Sequence, residues 1–119
     1  MSYKRIIPIT IAMISSGTLH ASNAENVTIT KFATGSFYES VCGAPCVPIK
    51  VSPQRSNFAN CSQHTTSWDF ALDTSTEQGK QAYSHMLAAY MSGKTISIYG
   101  KETCIGGSGY EAINFLVTK

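Results

Sequence analysis

Four cysteines are the residues whose spacing carries the clearest chemistry in this 119-residue chain. Cys42 and Cys46 enclose three residues, whereas dithiol redox motifs enclose two and lie beside a helix N-terminus, so a structural disulfide is favoured over redox chemistry or metal binding. Four cysteines allow three connectivities. We favour Cys42–Cys46 and Cys61–Cys104, which on a chain-entropy estimate stabilise the fold by roughly 2 and roughly 4 kcal/mol.

Residues that could perform acid–base or nucleophilic catalysis are scarce. His64 lies in a polar segment with Ser62, Ser67 and Asp69 nearby, but these residues match neither a nucleophile elbow nor a catalytic-triad motif. His85 lies on a predicted helix, and a zinc site needs three or four ligands in a consistent geometry. We therefore predict no enzyme activity, no metal site and no cofactor.

The segment Phe37-Tyr38-Glu39-Ser40 combines an aromatic pair with polar residues directly after a turn signal, Thr34-Gly35-Ser36. A tyrosine or serine hydroxyl can hydrogen-bond a sugar while an aromatic ring packs on the apolar face of that sugar. The alternative is an ordinary strand with buried rings. We take Tyr38 and Ser40 as the candidate glycan-binding residues.

The N-terminus has the three-part pattern of a secretory signal peptide. Lys4 and Arg5 precede the uncharged, largely apolar segment Ile6–Leu19, and Ser22-Asn23-Ala24 places small residues at a cleavage site. Cleavage after Ala21 is the alternative. The apolar segment is too short for a membrane-spanning helix and is interrupted by polar residues, proline and glycine. The sequence therefore predicts export into an oxidising space, which agrees with an even number of cysteines.

These boundaries give a signal peptide over residues 1–24 and one disulfide-stapled domain over residues 25–119. The whole chain has nine basic and seven acidic residues, a net charge of +2. Because Lys4 and Arg5 leave with the signal peptide, the mature domain is neutral. A neutral domain lacks the basic surface that binds nucleic acids and acidic membranes. We predict a secreted or periplasmic protein that neither binds nucleic acid nor inserts into a membrane.

Hydrophobic periodicity and turn signals predict the elements that position these residues. The predicted elements are strands at Val27–Ala33, Val47–Val51 and Trp68–Leu72, a helix at Ser75–Met91 capped by Thr74, strands at Thr95–Tyr99 and Tyr110–Val117, and an extended segment at Phe37–Val41. This order predicts a mainly β fold with one helix, a small OB-like barrel of five strands with the helix between strands 3 and 4. An α+β roll with one helix on an antiparallel sheet is the alternative.

The chain resembles the B (binding) subunits of bacterial pentameric toxins, in particular the pertussis-like and subtilase-like group. The likeness is strongest from Tyr83 to Ile98, where a helix ends in an aromatic residue and Ser92-Gly93-Lys94 leads into a strand. The segment Phe37-Tyr38-Glu39-Ser40 is similar to the aromatic-plus-serine segment with which that group binds sialoglycans.

This resemblance implies an OB fold, a homopentamer, recognition of a host glycan and a catalytic A subunit as partner. On that basis Tyr38 and Ser40 correspond to the glycan-binding positions. We therefore expect an exported, non-enzymatic binding domain of the toxin B-subunit type. The alternative is a periplasmic or secreted structural or interaction protein without a sugar site.

Overall fold

The computed structural model of the protein describes residues 22–119, which form five strands and two helices. In chain order these are β1 (Asn23–Phe32), α1 (Ser36–Cys42), β2 (Cys46–Ser52), β3 (Phe70–Asp73), α2 (Glu77–Ser92), β4 (Ile96–Cys104) and β5 (Glu111–Thr118). The fold is mainly β, as predicted. Residues 1–21 of the predicted signal peptide lie outside the described residues, and its last residues belong to the start of β1.

The five strands form one sheet that closes on itself. Every strand pairs with two others, so that the order β1-β2-β3-β5-β4 returns to β1. The β3–β5 pair is parallel, with Ala71 opposite Ala112, and the other pairs are antiparallel. α2 connects β3 to β4, which is the place predicted for the helix. Pairing both sides of each strand avoids the exposed edges that invite aggregation.

The main hydrophobic core lies between the strands and α2. β1 contributes Ala24, Val27 and Ile29, and the pairing register shifts between Ala24 and Val27. Asn26 has a left-handed φ of 55° at this irregularity. α2 packs against the same core through Met86 and Ala89. The other buried members of the main core are Val47, Ile49, Val51, Phe70, Leu72, Ile96, Ile98 and Ile113.

A second cluster of buried residues packs on the opposite face of the sheet at β3. Because successive strand residues point to opposite faces, Phe70 and Leu72 join the main core while Ala71 joins the second cluster. This cluster contains Cys42, Cys46, Ala71, Ile105, Tyr110 and Ala112, with Tyr38, Val41 and Trp68 packed against it. We call it the disulfide cluster, because it surrounds the Cys42–Cys46 bond.

The prediction of one helix is wrong, because the segment predicted to be extended, Phe37–Val41, lies in α1. Gly35 precedes α1 with a φ of 130°, and Gly43 ends it in the left-handed conformation with a φ of 73°. Both conformations favour glycine. Val41 and Cys42, three and four residues after Tyr38, join it in the disulfide cluster. The aromatic and β-branched residues favour a strand locally, and this packing overrides that preference.

α2 begins two residues later than predicted. Thr76 rather than Thr74 caps it, since the Thr76 side chain accepts a hydrogen bond from the Gly79 amide at 3.0 Å. Thr74 and Ser75 instead form a turn, in which the Thr74 amide donates to the Pro45 carbonyl and the Ser75 amide donates to Asp73 Oδ1, both at 3.0 Å. Within residues 22–119, neither helix has the length and hydropathy needed to cross a bilayer.

Two disulfides fix the elements to one another, and they join the pairs that the sequence spacing favours. Cys42–Cys46 connects the end of α1 to the start of β2. Cys61–Cys104 connects the long β2–β3 connection to the end of β4. The first disulfide is buried in the disulfide cluster, whereas both cysteines of the second are half-buried. The disulfides therefore tie α1 to β2 and the β2–β3 connection to β4.

Candidate functional site

Three aromatic rings form a continuous surface, here called the aromatic patch, which consists of Phe37, Tyr38 and Trp68. The Phe37 and Tyr38 ring centroids are 5.0 Å apart, and those of Tyr38 and Trp68 are 5.9 Å apart. Both pairs meet edge to face, the arrangement that aromatic quadrupoles favour. Phe37 is 67% exposed, whereas Tyr38 and Trp68 are half-buried. The patch therefore has two anchored rings and one ring that is largely open to solvent.

Lys31 brings a positive charge to the patch from the end of β1. Its Nζ atom lies 4.7 Å from the centroid of the Trp68 ring, within the range of a cation–π interaction. Lys31 is exposed, so its ammonium group also remains able to donate hydrogen bonds to a ligand. The patch thus offers both apolar ring surface and a hydrogen-bond donor.

Local structure explains why Trp68 lies at the patch. The Ser67 and Trp68 amides both donate to the His64 carbonyl, which forms a tight turn just before β3. His64 itself has a left-handed φ of 57°. The next amide, that of Asp69, donates to the Ile49 carbonyl at 2.8 Å and begins the pairing with β2. The turn thus ends where β3 pairing begins, and Trp68 packs against the disulfide cluster.

The connection between β4 and β5 approaches the patch from its buried side. Tyr110 is buried in the disulfide cluster and its ring meets that of His64 edge to face at 6.1 Å. Burial raises the pKa of the Tyr110 hydroxyl above its ordinary value of 10.0, and the neighbouring Tyr38 raises it further. The patch therefore lies where the β1–β2 connection, which contains α1, meets the β2–β3 and β4–β5 connections.

The two residues predicted to bind a glycan do not lie side by side. Residues two apart share a face on a strand, but they do not face each other on a helix. Tyr38 packs into the aromatic patch. Ser40 is exposed, and its hydroxyl donates to the Phe37 carbonyl at 2.6 Å. Tyr38 therefore belongs to the patch, and Ser40 lies on the neighbouring solvent face of α1.

Sequence reasoning missed Trp68 and Lys31 as site residues. Trp68 lies thirty positions after Tyr38, and only the folded β2–β3 connection brings the two together. One local signal was available, since the polar segment before Trp68 predicts a turn, and a large aromatic residue at the end of a loop suggests a binding surface. Lys31 gave no signal, because isolated lysines at strand ends are common surface residues.

A cleft of about 490 Å³ opens between α1 and α2, beside the patch. Cys46 and Val47 are its buried lining residues, Glu39 of α1 contributes to the lining, and Lys80 and Tyr83 line it from α2. Its lining is mostly apolar. Within the part of the chain that the structure describes, no group of three or more histidine, cysteine or acidic side chains could hold a metal ion.

The buried charged groups lie outside the aromatic patch and the cleft, and they stabilise the β2–β3 connection. Asp69 Oδ2 accepts a hydrogen bond from the Val51 amide at 2.9 Å, and Lys50 Nζ is 3.7 Å from the same oxygen. Burial raises the pKa of the Asp69 carboxyl above its ordinary 3.8, while the Val51 amide and the charges of Lys50 and Arg55 act to lower it. The Arg55 guanidinium forms a fully buried ion pair with Glu111 at 2.7 Å. Arg55, Asp69 and Glu111 are all buried, and they brace the β2–β3 connection.

No family model, curated protein or solved structure matches this chain.

Proposed function

We propose that this protein is a non-catalytic domain that binds carbohydrate at the aromatic patch, exported as the sequence predicts. The observation that carries the proposal is a solvent-exposed aromatic ring, Phe37, continuous with two anchored rings, Tyr38 and Trp68. Sugars present apolar C–H faces and hydroxyl groups together. The aromatic rings can pack against the C–H faces. The neighbouring Lys31 ammonium and Ser40 hydroxyl can form hydrogen bonds with the hydroxyl groups of the sugar.

The strand order also supports this proposal through the fold it suggests. We propose that the closed sheet, with α2 between β3 and β4 and a parallel β3–β5 pair, is a small barrel of the OB type. OB folds bind oligosaccharides and oligonucleotides on strands 2 and 3 and on the connections between strands 1 and 2 and strands 4 and 5. Phe37 and Tyr38 of the aromatic patch lie in the first of these connections, and Tyr38 packs against the disulfide cluster, to which Tyr110 of the second connection belongs.

Charge separates the two ligand classes that this surface could take. Single-stranded nucleic acid also stacks on aromatic rings, but it requires a positively charged groove along its backbone. The predicted mature domain has equal numbers of acidic and basic residues. Close to the patch, the exposed Lys31 is accompanied by the acidic Glu39 on α1. We therefore favour an oligosaccharide over a nucleic acid.

Trp68 provides a direct experiment, because it is the only tryptophan in the chain. A glycan array on the mature protein identifies a ligand, and that glycan is then titrated while tryptophan emission and its quenching by iodide are recorded. A sugar on the patch changes the emission and protects Trp68 from iodide. A protein that binds no arrayed glycan, or that binds one without any change at Trp68, contradicts the proposal.

Matched substitutions locate the binding surface. We expect Trp68→Ala and Phe37→Ala to weaken glycan binding by about tenfold or more, equivalent to roughly 1.4 kcal/mol. Phe115→Ala is the control, since Phe115 is 47% exposed on β5, outside the patch, and it should change affinity by less than about threefold. Tyr38→Phe and Ser40→Ala test the individual hydroxyls. If both leave the affinity unchanged, the predicted pair Tyr38 and Ser40 does not bind the glycan through hydroxyl groups.

A second candidate function is an interaction protein without a sugar site. Apolar surface outside the patch favours it, because Met91 is 80% exposed and Phe115, stacked on Tyr99 at 4.6 Å, is 47% exposed. The homopentamer and the catalytic A subunit that the toxin resemblance implies also stay predictions. Light scattering of the mature protein tests the ring, and a monomer at micromolar concentration contradicts the toxin proposal while leaving glycan binding open.

A further inference from the structure

We propose that the signal peptide is cleaved between Ala21 and Ser22, and not after Ala24, so that Ser22 is the first residue of the mature protein. This proposal rests on the predicted export signal and is independent of the proposed glycan binding. It is carried by the three residues Ser22, Asn23 and Ala24, which the structure places inside the folded domain.

Ser22 is joined to the sheet by its backbone. Its carbonyl accepts a hydrogen bond from the Gly100 amide at 2.9 Å, and the residue is buried. The fit is close, because a Cβ atom added at Gly100 would lie only 2.8 Å from the Ser22 carbonyl oxygen. Gly100 lies where the β4–β5 register shifts. Loss of Ser22 would leave the Gly100 amide without its partner at a half-buried position.

Asn23 and Ala24 form the first part of β1. Asn23 pairs with Tyr99 and Ala24 pairs with Ile98 of β4, and this pairing closes the sheet. Ala24 is 5% exposed and belongs to the main core. The Asn23 side chain donates to Glu25 at 2.9 Å. Cleavage after Ala24 would therefore remove two of the three β1–β4 register pairs, which join Asn23 and Ala24 to β4, and keep the pair of Val27 with Ile96.

The sequence permits the earlier cleavage. Ala21 supplies the small residue that a signal peptidase requires immediately before the cut, as Ala24 does. The position three residues before the cut is Leu19 in one case and Ser22 in the other, so local pattern alone favours the later site. The two sites differ in what the folded product keeps. The earlier cut leaves β1 whole, whereas the later cut removes its first two residues.

Intact mass measurement on the exported protein tests the proposal. The full precursor is produced in a bacterial host that exports it, and the mature protein is analysed by mass spectrometry with sequencing of its N-terminal peptide. We expect a chain that begins at Ser22. A chain that begins at Glu25, or one that retains the uncut N-terminus, overturns the proposal.

A substitution that is absent from the mature product keeps the test independent of folding. Ala21→Leu places a large side chain before the proposed cut, and the substituted residue would be removed with the signal peptide. We expect the product that begins at Ser22 to be lost from this variant, whereas the wild type yields it. A variant that is cut at the same bond and with the same yield as the wild type would show that Ala21 does not direct the cleavage. Ser16→Ala, in the same predicted signal peptide, is the control and should leave the cut and its yield unchanged.

Discussion

Replacing Glu111 by glutamine removes one charge from a buried ion pair and keeps the size of the side chain. Arg55 Nη2 lies 2.7 Å from Glu111 Oε1, and both side chains are 0% exposed. The guanidinium also donates to the Asp69 and Asn57 carbonyls and lies 4.0 Å from the centroid of the Phe70 ring. These contacts hold Arg55 in place, so its charge cannot move into water when Glu111 loses its own.

The expected magnitude follows from this burial. Removal of one partner from a buried pair leaves an uncompensated charge and costs about 3–5 kcal/mol. Glutamine keeps one carbonyl oxygen that can still accept a hydrogen bond from Arg55, so we expect the lower end, about 3 kcal/mol. Glu111 also accepts from the Glu102 amide through Oε2 at 2.9 Å. The free energy of unfolding of a small domain is about 5–15 kcal/mol, so the variant should keep a much smaller free energy of unfolding than the wild type.

Urea unfolding followed by circular dichroism measures this free energy. The matched control is Glu77→Gln, because Glu77 and Lys80 form an ion pair at 4.0 Å with side chains 77% and 63% exposed. Exposed pairs contribute about 0–1 kcal/mol, so the control should lose little stability. If Glu111→Gln costs no more than Glu77→Gln at an unchanged m-value, the buried pair does not stabilise the fold as argued.

Two further predictions concern the Asp69 carboxyl and the backbone around Gly79. Because the pKa of Asp69 is raised above its unfolded value of 3.8, its stabilising contribution is full below pH 3.8 and is lost as pH rises through the folded pKa. The free energy of unfolding of the wild type minus that of Asp69→Asn should therefore fall as pH rises above 3.8, and a rise would contradict the raised pKa. At Gly79, an added Cβ would lie 1.7 Å from the Asp73 carbonyl oxygen. Gly79→Ala should therefore cost at least about 1 kcal/mol despite alanine's higher helix propensity, while Gly107→Ala, with no atom within 4 Å of its Cβ, should change stability by less than about 0.5 kcal/mol in urea titrations.

The sequence predicts most of the sheet because its strands have a single strong signal. The alternation of Ile96 and Ile98 with smaller residues matches β4, and the β-branched run after Cys46 matches β2. α2 follows from its apolar stripe, in which Met86 is fully buried. Such periodic patterns reflect burial on one face, and burial decides these elements in the structure as well.

α1 could not be predicted in the same way, because its residues prefer a strand and its helical form depends on contacts distant in sequence. Tyr38 and Val41 pack against Ile105 and Tyr110 of the β4–β5 connection in the disulfide cluster. Seven residues are too few to form a stable helix alone. The two flanking glycines, Gly35 and Gly43, were the available signal for the ends of the helix.

The rings of the candidate site are exposed on one side and anchored by distant contacts on the other. Tyr38 and Trp68 pack against the disulfide cluster, in which the Cys42–Cys46 bond ties α1 to β2. A side chain already fixed by packing loses little conformational freedom when a ligand binds, so its contacts contribute more of their energy to affinity. Phe37 lacks this anchoring and would be ordered by the ligand. We therefore infer that Trp68 and Tyr38 provide the rigid platform of the aromatic patch, and that Phe37 is the ring that would adapt to a ligand there.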